Sequence, residues 1–102
     1  MLEIRPNCEC CDKELPPNSL EAMICTYECT FCKKCVGEIL ENVCPNCGGG
    51  FSMRPIRPKE ARRKNVSLVY QPSSKKRVIT EYTIDEIKAF SKQIKAINPE
   101  ER

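Results

Sequence analysis

Cysteine pairs dominate the first half of the chain. They fall at Cys8/Cys11, Cys25/Cys29, Cys32/Cys35 and Cys44/Cys47, and Cys10 is left over. Three pairs enclose two residues and one encloses three. A C-x2-C segment closes a tight turn that holds two sulfurs on one side. Two such turns complete a tetrahedral four-thiolate metal site. The eight paired cysteines therefore predict two sites. Four protein ligands leave a metal no open coordination position, so both sites are expected to be structural. Zinc is the expected occupant, with iron or an iron–sulfur cluster as the competitor.

A disulfide framework fits less well, because nine cysteines cannot all pair within one chain. The opening MLEIRPN is interrupted by Glu3, Arg5 and Pro6 and does not read as a signal peptide. The expected compartment is the reducing cytoplasm, where structural disulfides are disfavoured. No apolar stretch reaches the length of a membrane span, so no membrane role is expected. With 102 residues, no Trp and only three Phe and three Tyr, the chain can build only a modest apolar core. Small scaffolds of this kind depend on a staple.

Charge divides the chain into a head, an arm and a tail. Residues 1–53 carry a net charge of −4, residues 54–77 of +8, and residues 78–102 of −1. Eight thiolates and two zinc ions together add four negative charges, taking the head to −8. Two units are expected: a zinc-binding head over 1–57, and a basic arm with the C-terminal helix over 58–102.

The expected fold is a small α+β zinc-binding domain. SLEAMICTYECTFC suits a short hairpin. Val36, Ile39, Leu40 and Val43 recur at helical spacing. CPNCGGG supplies glycine for tight turns. In the arm, VSLVY and RVITEY are β-prone runs separated by QPSSKK, which predicts a second hairpin. In the tail, Thr83 and Glu86 form a capping-box pattern, with Tyr82 and Ile87 placed for a hydrophobic staple. Ile84, Ile87, Phe90, Ile94 and Ile97 then share one helical face, and Asn98-Pro99 ends the helix.

In chain order the ligands read C-x2-C-x13-C-x3-C-x2-C-x2-C-x8-C-P-x-C. This resembles the RING finger, with Cys29 where that family usually has histidine, Phe31 ahead of the fifth ligand and Pro45 in the last pair. LEIRPNCECC, LPP, ECTFC and VCPNCGG are also similar to a small bacterial family of uncharacterised cysteine-rich proteins, a domain of unknown function, over about residues 1–57. The RING resemblance implies a cross-brace. Cys8, Cys11, Cys32 and Cys35 would share one metal, and Cys25, Cys29, Cys44 and Cys47 the other.

The functional expectation is a non-catalytic interaction module acting through protein contacts. The chain has no His, and Ser19, Ser52 and Ser67 have no evident base partner, so no enzyme is expected. The alternative is a nucleic-acid-binding regulator using Arg54, Arg57, Lys59, Arg62, Arg63 and Lys64. Docking of this arm on the acidic head competes with that role, so binding is expected to be weak and confined to low salt. A second alternative is a ubiquitin-ligase-like RING. Against it stand Glu9 after the first ligand, Gly48 after the last, and the lack of Trp. Cys10 reads as a spare cysteine or an alternative ligand to Cys11, in preference to a reactive thiol, because Glu9 and Asp12 oppose thiolate formation.

Overall fold

The hairpin expected around the second cysteine pair forms. In the computed structural model, which describes residues 1–102, β1 (Ala22–Ile24) pairs antiparallel with β2 (Thr30–Cys32). Met23 lies opposite Phe31 and Ile24 opposite Thr30, which carries Cys25 and Cys29 to facing positions at the hairpin end. The Cys25 N–H donates to the Cys29 carbonyl at 3.2 Å. Glu28 makes the reversal from a left-handed backbone, φ 67°. β3 (Ser52–Met53) pairs with the other edge of β1, giving the order β2-β1-β3.

β2 runs directly into α1 (Lys33–Cys35), which continues as a π-helical turn over Val36–Leu40. The helical spacing is realised: Val36, Leu40 and Val43 are buried and Ile39 is half-buried. Glu41 and Asn42 end the turn with φ of 49° and 60°. The Asn42 side chain then accepts the Phe51 N–H at 2.9 Å, folding the chain back toward β3. Phe51 meets Phe31 edge to face, with ring centroids 5.4 Å apart. Six of the twelve residues in the core cluster are cysteines, so whatever binds the sulfurs also holds the core.

α2 (Ile84–Ile94) carries the predicted capping box. The Glu86 N–H donates to Thr83 Oγ1 at 3.1 Å, and the Thr83 N–H donates to Glu86 Oε1 at 3.0 Å. The helix packs on the π turn, where Ser91 Oγ donates to the Leu40 carbonyl at 2.8 Å. Its buried stripe is narrower than the apolar face suggested. Ile87 and Ser91 are buried, Ile94 is half-buried, and Ile84 and Phe90 are exposed. The five-residue turn beneath it offers too little surface for the full face. Ile97 lies beyond the helix, which ends before Asn98-Pro99, and a 3-10 turn follows over Pro99–Glu101.

The hairpin expected in the arm does not form. VSLVY folds into turns, and RVITEY contributes no strand. Each run finds backbone partners elsewhere. The Leu68 N–H donates to the Pro58 carbonyl at 2.8 Å. The Ser74 N–H donates to the Ile4 carbonyl at 2.9 Å and the Thr80 N–H to the Glu9 carbonyl at 2.8 Å. The second run is thus spent on the head and cannot pair with the first.

Candidate metal centres

The first centre is assembled from a loop and from the β2–α1 junction. The Cys8 carbonyl accepts the Asp12 N–H at 2.9 Å, and the Cys8 N–H donates to Lys13 at 2.9 Å, which closes the turn carrying Cys8 and Cys11. Cys32 ends β2 and caps α1, its Sγ accepting the Cys35 N–H at 3.5 Å. The sulfurs of Cys8, Cys11, Cys32 and Cys35 all lie within 4.8 Å of one another. Those of Cys11 and Cys32 are 3.8 Å apart. Cys11 is exposed and the other three are buried.

The second centre joins the hairpin end to the CPNC turn. The sulfurs of Cys25, Cys44 and Cys47 lie within 4.8 Å of one another. The turn closes through the Gly48 N–H to the Cys44 carbonyl at 2.7 Å and the Cys44 N–H to the Gly49 carbonyl at 2.8 Å. Gly48 has φ 79°, a backbone that a side chain would strain. Backbone N–H groups already point at the sulfurs: Tyr27 at Cys25 (3.3 Å) and Gly49 at Cys47 (3.4 Å). Cys29, expected here as a fourth ligand, is buried but stands outside the close triad. Its sulfur accepts the Asn46 side-chain N–H at 3.4 Å. Cys10 joins neither group and packs half-buried against the core.

The grouping is interleaved: the first and third pairs meet at one centre, while the fourth pair meets Cys25 of the second at the other. CTYECTFCKKC is the strip that feeds both.

Burial makes the sulfurs of Cys8, Cys29, Cys35 and Cys44 costly to ionise without a cation. It pushes the Cys8 thiol up to about 11, against the backbone N–H groups of Cys11, Cys32 and Cys10. Burial, reinforced by neighbouring thiols, also raises Cys35 and Cys44. Cys29 is raised by burial, with the Asn46 amide opposing. Cys11 moves the other way. Burial raises it, but the Lys13 backbone N–H and the adjacent thiols outweigh that effect. Burial also raises Cys10, which speaks against a reactive thiolate there. Clustered thiolates repel one another, and a metal ion replaces their protons. The donor sets suit metal binding.

The six arm residues considered for nucleic acid do not act as one set. Arg54 is buried and donates to the carbonyls of Arg5 (2.8 Å), Leu15 (3.2 Å) and Pro16 (2.9 Å). Arg57 donates to the carbonyls of Gln71 (2.6 Å) and Leu2 (2.7 Å). Lys59, Arg62, Arg63 and Lys64 are exposed. Ion pairing with the carboxylates of the head falls instead to Arg77, which sequence reasoning did not single out. It binds Asp12 at 2.5 Å and also pairs with Glu14. Its place in the basic segment was the available signal. Asn7, which binds Val78, carried none. No helix is long and apolar enough to cross a membrane.

Residues 1–57 match the family described as "Protein of unknown function (DUF1272)". An uncharacterized protein of Rhizobium meliloti (strain 1021) is 58% identical over 64 residues, which make up 63% of this chain and 76% of that protein. No solved structure matches the chain. The matched family segment contains both cysteine clusters and stops where the exposed basic loop begins. The chain belongs to the DUF1272 family.

Proposed function

We propose that the protein is a non-catalytic interaction module, built on a RING-like cross-brace of two structural zinc ions and working in the cytoplasm through contacts with other proteins. One ion sits among Cys8, Cys11, Cys32 and Cys35. The other sits among Cys25, Cys44 and Cys47, with Cys29 turning from Asn46 to supply the fourth thiolate. The interleaved sulfur geometry carries this reading. Two sulfurs bound tetrahedrally at about 2.3 Å from zinc lie about 3.8 Å apart, and Cys11 and Cys32 have that separation, 3.8 Å. Four thiolates per ion leave no position for water or substrate, which supports a structural role. Leu20 and Tyr27 are 71% and 73% exposed on the head. The core uses neither side chain, which leaves both available to a partner.

Elemental analysis with native mass spectrometry of protein purified without added metal tests the zinc assignment. Two zinc ions per chain are expected; iron, or a single zinc, overturns it. A pull-down from the native cell tests the contact reading. The double variant Leu20→Glu/Tyr27→Glu is expected to lose a partner that the full chain retains. Equal retention by both removes these two side chains from the proposal.

A further inference from the structure

Polar bonds close the loop over residues 58–71. The Leu68 N–H closes it on Pro58 at 2.8 Å. The Ser67 N–H donates to Gln71 Oε1 at 3.2 Å, and Gln71 Nε2 donates to the Asn65 carbonyl at 2.9 Å. Arg57 bolts its base to Leu2 and Gln71. On this small frame Lys59, Arg62, Arg63 and Lys64 are exposed, against a single acid, Glu60. The one ion pair among them, Arg62–Glu60 at 3.5 Å, is open to solvent and worth little. Tyr70 is 54% exposed and Val69 76% exposed on the same loop. Folding uses none of these side chains. Self-masking by the acidic head was the expected competitor, but Arg54, Arg57 and Arg77 are the arginines that bind the head, and no ion pair joins Lys59, Arg62, Arg63 or Lys64 to it.

We infer that the 58–71 loop is a docking site for single-stranded nucleic acid, with Lys59, Arg62, Arg63 and Lys64 meeting phosphates and Tyr70 stacking on a base. Four cations on a short loop match the charge of successive phosphates, and guanidinium forks suit phosphate oxygens. An exposed aromatic on the same loop, Tyr70, supplies the stacking surface that sequence-tolerant strand binding uses. The occupant is single-stranded because the loop is tied to Leu2 and so stays beside the head, which carries −4 before any metal binds. A flexible strand can follow the loop and avoid the head. A bilayer or a rigid duplex presents a broad anionic face that the head repels.

The test is fluorescence anisotropy of the intact, metal-loaded chain with a labelled oligothymidylate of about 15 nucleotides, a size matched to a small binding site. The salt titration runs from about 50 to about 200 mM, where phosphate contacts are most visible. Binding is expected to fall with a log–log slope close to 3, at about 0.7 per phosphate contacted on a single strand. Lys59→Ala/Arg62→Ala/Arg63→Ala/Lys64→Ala is expected to abolish binding while metal content and circular dichroism stay unchanged. Tyr70→Ala is expected to weaken binding roughly tenfold with the slope preserved. No binding at low salt overturns the inference. So does binding that survives the quadruple variant. Tighter binding of anionic vesicles, a duplex or an acidic peptide than of the oligothymidylate overturns the choice of occupant. These outcomes are independent of the zinc assignment.

Discussion

The side-chain amide of Asn7 and the backbone of Val78, 71 residues apart in sequence, bind each other in both directions. Asn7 Nδ2 donates to the Val78 carbonyl at 2.9 Å, and the Val78 N–H donates to Asn7 Oδ1 at 3.3 Å. Asn7 is fully buried. The amide satisfies a stretch of arm that has no strand to pair with. On either side, Arg77 grips Asp12 and Glu14 while the Thr80 N–H binds the Glu9 carbonyl. Arg77, Val78 and Thr80 thus clamp the loop that carries Cys8 and Cys11. Residues 77–80 lie outside the matched family segment, yet they brace the first candidate metal centre.

Asn7 is expected to be worth more than one ordinary hydrogen bond. Asn7→Ala leaves the buried Asn7 side of the Val78 pair empty and should cost about 2 kcal/mol. Asn7→Asp keeps an acceptor for the Val78 N–H but sets a carboxylate against the Val78 carbonyl and Asp12, so it should cost at least as much. Thermal unfolding of the metal-loaded chain measures both, and amide exchange at Val78 and Thr80 should accelerate. An aspartate variant as stable as the natural chain would contradict the clamp.

Arg54 is a buried cation held only by carbonyls. Burial lowers its proton affinity, yet its two amino groups reach Arg5 on one side and Leu15 and Pro16 on the other. Arg54→Ala strands three acceptors and should cost about 3 kcal/mol in denaturant unfolding. Arg54→Lys should recover less than half, because one ammonium cannot span both groups. Full recovery by lysine would mean that charge, not the fork, is what matters.

The interleaved centres predict a coupling pattern. Cys8→Ser and Cys35→Ser damage the same centre, so the double variant should be little less stable than either single one. Cys25→Ser with Cys47→Ser should behave likewise. Cys8→Ser combined with Cys47→Ser strikes both centres, and its losses should add. Native mass spectra should show one metal fewer for each centre disrupted. Strong coupling of Cys25 to Cys8 would mean that the centres are sequential.

Metal retention should fall on acidification. Burial raises the metal-free thiols of Cys8, Cys29, Cys35 and Cys44, so protons hold these sites more tightly than ordinary cysteines. Binding a metal expels those protons, so each downward step in pH favours the protonated, metal-free form and each upward step favours the metal. A chromophoric chelator followed across the acid range should report progressive release and loss of folded signal together, because half the core cluster is cysteine. Unfolding that precedes release would separate the core from the metal.

By itself the sequence determined whatever depends on neighbours a few residues away. Cys8 and Cys11, or Cys44 and Cys47, cannot part by more than a tight turn. The Thr83 hydroxyl and the Glu86 carboxylate meet wherever that helix starts, and the hairpin follows from residues that face each other within one short stretch. Tertiary structure decided what those local pieces do with distant backbone. RVITEY has the composition of a strand, but the head residues Asn7 and Glu9 take the hydrogen bonds of Val78 and Thr80, so the hairpin is lost. Arg54 and Lys59 look alike in a basic run, yet one is buried among carbonyls 38 to 49 residues away and the other faces water. Cys29 has the spacing of a ligand, and its sulfur rests on Asn46. The reason is one of range. Spacing constrains geometry only as far as the chain is locally stiff, whereas a buried donor or acceptor takes whichever partner the packed fold brings within about 3 Å.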